Sequence, residues 1–312
     1  MRATKRSRLL FLFGPTGVGK TDMLRRCFAS GYEIISADSM QVYRHMDIGT
    51  AKPSPQMLES IPHHLIDTHH PSQQFSVGDF VSLAHQKIHE IEKRGHLPIV
   101  SGGTAFYFKH LLLGLPEAPP SSVLLRKELE KRAQREGLGQ LYAELCEADP
   151  VSSARIHPSD AYRIIRALEV FHTAGRPLCS YRAVSSSALE DTEVCVIGLW
   201  RERQELKNRI RQRVNLMYDQ GLIGEVRHLM ENGAEPEWPG MRGIGYREFF
   251  IAAQGGELSL RGVRDLIAFN SIRYAKRQMT FFRSLPDVQW IHADDVQQLL
   301  SACDTFYGGS HQ

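Results

Sequence analysis

The chain has 312 residues, 42% of them hydrophobic and 23% charged, with a net charge of +3. That balance excludes a disordered or fibrous chain and fits a globular protein with a sizeable core. So small a charge excess offers no global argument for nucleic acid, so any basic surface must come from local clustering. The five cysteines are scattered, with no Cys-x-x-Cys pair. This argues against structural zinc and a disulfide framework, and suits a reducing compartment.

Residues 7–13 read as a first strand. The head MRATKRSRLLFLFG imitates a secretory leader, but its apolar run LLFLF is too short for one. No stretch approaches the roughly 18 apolar residues of a membrane span, so the expected location is the cytoplasm, with no membrane partner. GPTGVGKT (14–21) follows, matching Gly-x4-Gly-Lys-Ser/Thr at Gly14, Gly19, Lys20 and Thr21, and KTDMLRRCFAS reads as the helix it opens. With a strand before and a helix after, this is a phosphate loop. Pro15, Thr16, Gly17 and Val18 complete it, with backbone N–H groups converging at a helix N-terminus. Lys20 adds a point charge, and Thr21 offers a hydroxyl to Mg2+.

EIISADS (33–39) reads as a second buried strand ending in Asp38, HHLIDT (63–68) as a weaker third, and HLPIVSGG (96–103) as a clear fourth. FSVGDFVSLAHQKIHEIEKRG lies between them with apolar residues at helical spacing and a Gly stop. Alternating strands and helices predict a parallel sheet with crossover helices. LLGLPEAPPSS (112–122) breaks the pattern, helical charged sequence follows, and EVCVIGLW (193–200) returns to the sheet. The expected organisation is one α/β domain (1–115 and 189–312) interrupted by a helical insertion (116–188). ERQELKNRIRQRVNLMYDQG and RDLIAFNSIRYAKRQMTFFRSL then read as helices, VQWI (288–291) as a last strand, and a small helix closes the chain.

The loop alone does not say what carries the phosphate. A guanine-reading NKxD-like segment is absent, and VSGGT (100–104) echoes only part of the transporter ATPase signature. A small-molecule kinase stays open, since such enzymes also carry an acid at the end of strand two. Asp38 lies in the crevice where open α/β sheets bind ligands. It could hold a metal, act as a general base or cap a helix, and spacing does not choose among these.

GPTGVGKT, SADSMQVYRHMDIGTAKP, SGGTAFYFKHLLLGL, DPVSSARIHPSDAYRIIRALEVFHTAGRP and MRGIGYREF occur in this order. Together they resemble the tRNA dimethylallyltransferases, also called tRNA isopentenyltransferases, from about residue 9 to 285. The resemblance implies a nucleotide-kinase-like P-loop fold with helices on both faces of the sheet. It also implies transfer of a dimethylallyl group from its diphosphate to the N6 amine of the adenosine 3′ to the anticodon, in tRNAs reading codons that begin with U. The loop then holds the diphosphate of a prenyl donor, although the motif alone would be read as ATP-binding. By the same resemblance Asp38 is the base, Thr104 stands near the reacting centre, and Arg209 and Arg213, four apart on one helix face, clamp the diphosphate. Thr104 also reads as a helix N-cap, and the arginines as a solvated face.

Contacts with the tRNA anticodon arm are implied for Asp38, Ser39, Met40, Gln41, Thr104 and Arg126, for Tyr162, Arg163, Ile164, Ile165 and Arg166, and for Arg242, Gly243, Ile244, Gly245, Tyr246 and Arg247. The adenine must be turned out of its stack to react. Arg273, Lys276, Arg277 and Arg283 form a stripe that reads equally as RNA contact or solvated face. His45 stands where the family usually has glycine, and Gly17-Val18 replaces the commoner Ala-Ser. His63, His64, His69 and His70 cluster like metal ligands, a reading the family pattern disfavours. The ending resembles the short bacterial form, and a monomer suffices for one tRNA. The competing readings are a kinase, a prenyltransferase acting on free adenine nucleotides, and a non-catalytic RNA-binding protein.

Overall fold

The computed structural model describes residues 7–28, 30–181, 189, 192–255 and 259–308. Six parallel strands make one sheet: β1 (Ser7–Phe13), β2 (Tyr32–Ser36), β3 (His63–His64), β4 (Leu97–Gly102), β5 (Thr192–Trp200) and β6 (Gln289–His292). Their order is β3-β2-β4-β1-β5-β6. The run LLFLF explains why β1 is central, because a strand covered on both faces needs apolar residues at every position. Leu10 lies between Ile99 of β4 and Cys195 of β5. Leu9, Phe11 and Phe13 enter one core layer, while Leu10 and Leu12 enter the other.

Helices α1 (Lys20–Cys27) and α13 (Val296–Tyr307) cover the second layer, through Met23, Leu24, Leu299 and Cys303. The first layer is covered by α3 (Val77–Lys93), α4 (Ala105–Leu113), α10 (Leu222–Glu231) and α11 (Arg247–Gly255). In α3 the buried residues Phe80, Ala84, Ile88 and Ile91 recur at helical spacing. Its start is fixed by a reciprocal box between Ser76 and Asp79. Two long helices, α9 (Arg203–Asp219) and α12 (Leu260–Phe282), contribute to both layers. Phe282 of α12 stacks on Phe13 with centroids 4.3 Å apart.

The third strand is a correction to the expected 63–68. Only His63 and His64 pair with β2, because Leu65 (φ 64°) and Asp67 (φ 55°) turn into left-handed backbone. A short helix, α2 (Pro55–Ser60), precedes it. Asp38 lies beyond the end of β2, in the loop that follows.

The chain divides into two compact units, one of Met1–Leu112 with Ala188–Gln312 and one of Leu113–Ser187. The second contains α5 (Val123–Glu136), α6 (Leu138–Ala148), α7 (Pro150–Ser153) and α8 (Ala161–Ala174). It has its own core of Leu129, Leu141, Leu145, Ile164, Ile165, Ala167 and Leu168. The buried Glu169 accepts from the Ser121 hydroxyl (2.6 Å) and the Ser122 N–H (2.5 Å), tying the start of α5 to α8.

Candidate active site

The phosphate loop turns on left-handed backbone at Gly17 (φ 79°) and Gly19 (φ 110°). Such values are cheap only for glycine. Gly14 is required for space: a Cβ there would meet the Leu199 carbonyl at 2.8 Å. No protein acceptor meets the N–H groups of Gly17, Gly19, Lys20 or Thr21 among the described residues. They stand at the positive end of α1, ready for an anion. The Lys20 ammonium donates to the carbonyls of Gly14 (2.8 Å) and Pro15 (3.1 Å). Burial pushes its pKa down to about 8, Asp38 raises it, and Arg213 lowers it further. Thr21 is exposed beside the loop.

Three chain segments meet opposite that loop. The Asp38 carboxylate accepts from the Met40 N–H at 2.9 Å. The Thr104 hydroxyl oxygen accepts from the Ser39 N–H at 2.9 Å, and the Thr104 N–H donates to the Ala37 carbonyl at 3.0 Å. Thr104 therefore joins the segment after β2 to the segment after β4, just before α4 begins. Between them Gly103 leaves a gap. A Cβ there would stand 2.7 Å from the Gln278 amide nitrogen, 3.8 Å from the Lys20 ammonium and 3.9 Å from an Asp38 oxygen. A cation, a carboxylate and a hydroxyl-bearing loop thus converge.

Two residues of this constellation escaped the sequence. Buried Gln278 accepts from the Thr16 N–H (2.9 Å) and donates to the Gly103 carbonyl (2.6 Å), bridging the phosphate loop and the loop after β4. One turn earlier on α12, the Tyr274 hydroxyl faces Thr104, Gln278 and the Asp38 carboxylate. Burial first, and then Asp38, push its pKa up to about 12. Both were hidden among the charges of the predicted stripe.

The arginines of α9 reach the phosphate loop. Arg209 donates to the Gly17 carbonyl at 3.0 Å, and Arg213 donates to the Thr16 hydroxyl at 3.2 Å and the Thr50 carbonyl at 3.5 Å. Burial lowers the pKa of Arg213, and Asp38 opposes that shift. A solvated face is therefore the wrong description of both. Arg201 was not foreseen. It is buried, donates to the Val18 carbonyl at 2.7 Å and pairs with Asp294, and that carboxylate raises its pKa.

A second cradle of N–H groups lies in residues 46–50. Glu225 of α10 accepts from Asp47 (2.8 Å), Ile48 (2.7 Å) and Gly49 (3.1 Å), and from the Tyr246 hydroxyl (2.7 Å). Gly49 admits the Tyr246 ring, which a Cβ would meet at 2.5 Å. Gly243 lies against Met40, and Gly245 (φ 102°) against Gly49. Gln41 donates to the Ala51 carbonyl at 3.2 Å and accepts from Ser36 at 3.2 Å. Tyr246, proposed from sequence as an RNA contact, is fully buried and its hydroxyl is taken by Glu225. Its side chain holds the loops instead. Arg242 is exposed, while Ile244 and Arg247 are partly so.

In the insertion the sequence grouped residues that the structure separates. Ile164 and Ile165 are core residues, since α8 must bury one face. Arg166 is engaged with Glu169 (2.9 Å) and the Pro119 carbonyl (2.6 Å). Tyr162 and Arg163 are exposed, and Arg126 lies over the Tyr162 ring at 4.6 Å. Of the histidines read as a cluster, His63 bonds the Ile61 carbonyl, His64 bonds Glu33, His69 bonds Thr68 and His70 bonds Ser72. Among the described residues no group of three or more His, Cys, Asp or Glu is arranged to hold a metal. None of the described helices is long and apolar enough to cross a membrane.

Comparisons with known proteins agree with one another. The family described as IPP transferase matches residues 41–285. A tRNA dimethylallyltransferase of Geobacter sulfurreducens is 42% identical, over 93% of this chain and 93% of its own. That of Geobacter metallireducens is 41% identical over 98% and 100%. Among solved structures, the tRNA isopentenylpyrophosphate transferase of Bacillus halodurans is 36% identical with a TM-score of 0.68, covering 97% of this chain and 98% of that one. A eukaryotic dimethylallyltransferase acting on tRNA reaches a TM-score of 0.72 at 26% identity, over 97% of this chain and 77% of that one.

Proposed function

The chain belongs to the IPP transferase family of tRNA dimethylallyltransferases, and on that premise we propose how its residues carry the transfer. The donor is dimethylallyl diphosphate, and the acceptor is the N6 amine of the adenosine 3′ to the anticodon. The new N6–carbon bond forms as the allylic carbon–oxygen bond breaks, and diphosphate leaves. Charge grows on the leaving oxygens, so donors aimed at them act most strongly in the transition state. Those donors are the free N–H groups of Gly17, Gly19, Lys20 and Thr21, with the Lys20 ammonium and the guanidinium groups of Arg209 and Arg213.

The attacking amine becomes acidic as its lone pair is committed, and its proton goes to the Asp38 carboxylate. Thr104 and Tyr274 orient the acceptor beside that carboxylate. The observation that carries this reading is the gap at Gly103, which brings Lys20 and Asp38 to within 4 Å of one point. A kinase could also place an acid here, and what favours transfer to tRNA over that reading is the family to which the chain belongs.

Mg2+ fits the donor set. Such an ion keeps most of its waters and takes one or two protein oxygens plus those of the substrate. The exposed Thr21 hydroxyl at the loop would supply one protein oxygen, with the diphosphate and water completing the set. When bound, the ion adds positive charge to the leaving group. The anticodon loop reaches the site as a single strand held by Ser39, Met40, Gln41, Arg242 and Arg247 on the core; on the insertion, Arg126, Tyr162 and Arg163 are RNA contacts in their own right. A monomer acting in the cytoplasm satisfies these needs.

The test combines purified protein, unmodified tRNA with adenosine 3′ to its anticodon, Mg2+ and radiolabelled dimethylallyl diphosphate, without ATP. Label in the tRNA is expected. Label only in free adenosine monophosphate, or consumption of ATP with a small acceptor, would overturn the reading.

A further inference from the structure

Phe106 is the second residue of α4, two positions after Thr104. Its neighbours Ala105, Tyr107, Phe108 and Leu111 are buried, yet Phe106 itself is 48% exposed. It stands edge-on to His110, with centroids 4.4 Å apart, and to Phe281 of α12 at 6.5 Å. The Lys109 ammonium lies over the Phe281 ring, 5.9 Å from its centroid. On the same helix the Arg277 guanidinium lies over Tyr274, 5.6 Å from its centroid. Tyr274, Arg277, Gln278 and Phe281 are spaced to share one side of α12, so the strip runs outward from the groups around Asp38. Lys109 and Arg277 are exposed, and no carboxylate among the described residues forms an ion pair with either.

We propose that Phe106, Lys109, Phe281 and Arg277 seat a nucleotide next to the target adenosine in the same RNA loop. Its base lies on the exposed face of Phe106 and its phosphate against Lys109 and Arg277. The inference rests on the RNA substrate proposed above and extends that site along α4. Aromatic faces with unneutralised cations beside them are what a splayed, single-stranded loop requires. Two features argue for nucleic acid over a protein partner. The cations are unpaired, and the strip is continuous with the site that must receive an extruded base. A base stacked on Phe106 also fills the space that leaves the ring half exposed.

The experiment measures binding of a fluorescent anticodon stem-loop to the full chain by anisotropy, alongside steady-state transfer. Phe106→Ala is expected to weaken stem-loop binding about tenfold, and Phe106→Trp to restore it. The KM for dimethylallyl diphosphate should not move. An abasic site beside the target adenosine should weaken binding to the parent protein but not further to the Phe106→Ala variant, as a coupled pair requires. Unchanged stem-loop affinity in a folded Phe106→Ala variant overturns the surface even where transfer proceeds. So does a dimer of the parent chain that Phe106→Ala dissolves. Weakened stem-loop binding without any transfer by the parent leaves the surface standing and removes the transfer reading. Absence of stem-loop binding by the parent removes both.

Discussion

Two loops in this molecule gather backbone N–H groups, and they differ in what fills them. In residues 14–21 the N–H groups of Gly17, Gly19, Lys20 and Thr21 have no protein acceptor among the described residues. In residues 46–50 the N–H groups of Asp47, Ile48 and Gly49 all donate to the Glu225 carboxylate. The same backbone chemistry serves a ligand in one place and the fold in the other. A concave set of N–H groups marks a binding site only where the protein brings no anion of its own. The cations point the same way. Lys20, Arg209 and Arg213 surround the open loop, and among the described residues their hydrogen bonds go to carbonyl and hydroxyl oxygens.

The comparison breaks first at the open loop. Asp38→Asn keeps the hydrogen bond with Met40 within reach but removes the proton acceptor. Transfer should fall about a thousandfold, the scale of general base catalysis, with affinity for dimethylallyl diphosphate retained by equilibrium binding. Unaltered turnover would remove Asp38 from its role. Next comes Lys20. Its ammonium is depressed to about 8 by burial, and the charged form is the one that binds the leaving group. That form is half present at about pH 8, nearly complete a unit or more below it and lost above it. The kcat/KM for dimethylallyl diphosphate should therefore fall about tenfold per pH unit above 8, a limb that Lys20→Ala abolishes.

Smaller effects belong to the filled loop. Glu225→Gln removes the charge from a hub of four hydrogen bonds. Denaturant unfolding should register a loss of about 2 kcal/mol. Donor affinity should stay close to the parent value. His45 has φ 64°, a left-handed conformation that a non-glycine residue adopts at a cost. His45→Gly should stabilise the protein by about 0.5–1 kcal/mol, visible as a raised unfolding midpoint.

His45 also shows how far the sequence could be read. The family's usual glycine there was visible as a departure without a cause, and the positive φ supplies one. The phosphate loop was fully legible because its donors, its charge and its helix lie in one short stretch. Asp38 was marked by its place at the end of strand two and given its role by family resemblance. Thr104, Arg209 and Arg213 were found through that resemblance, and spacing alone left each of the four with a bland alternative. MDIGTAKP was recognised as a signature but not understood. Its partner Glu225 is far away in sequence, and nothing local announces that a glutamate will enter that loop. Gln278 and Tyr274 sit among Arg273, Lys276 and Arg277, so their stretch of α12 read as surface. Ile164, Ile165 and Tyr246 were misjudged in the opposite sense, as neighbours of RNA-facing residues within motifs that also build the core.

The place of β1 in the sheet has a consequence for how the chain is made. One neighbour, β4, is complete at Gly102, but the other, β5, begins at Thr192. The whole insertion leaves the ribosome in between. At about 5–20 residues per second, one side of the strand that carries the phosphate loop waits on the order of ten seconds for its partner. During that interval the insertion, which carries its own apolar centre around Leu141 and Leu168, has what it needs to fold by itself. Closure of the sheet is then a late, long-range step, and a stalled or truncated product ending before Thr192 would present the unpaired edge of β1 to other nascent chains.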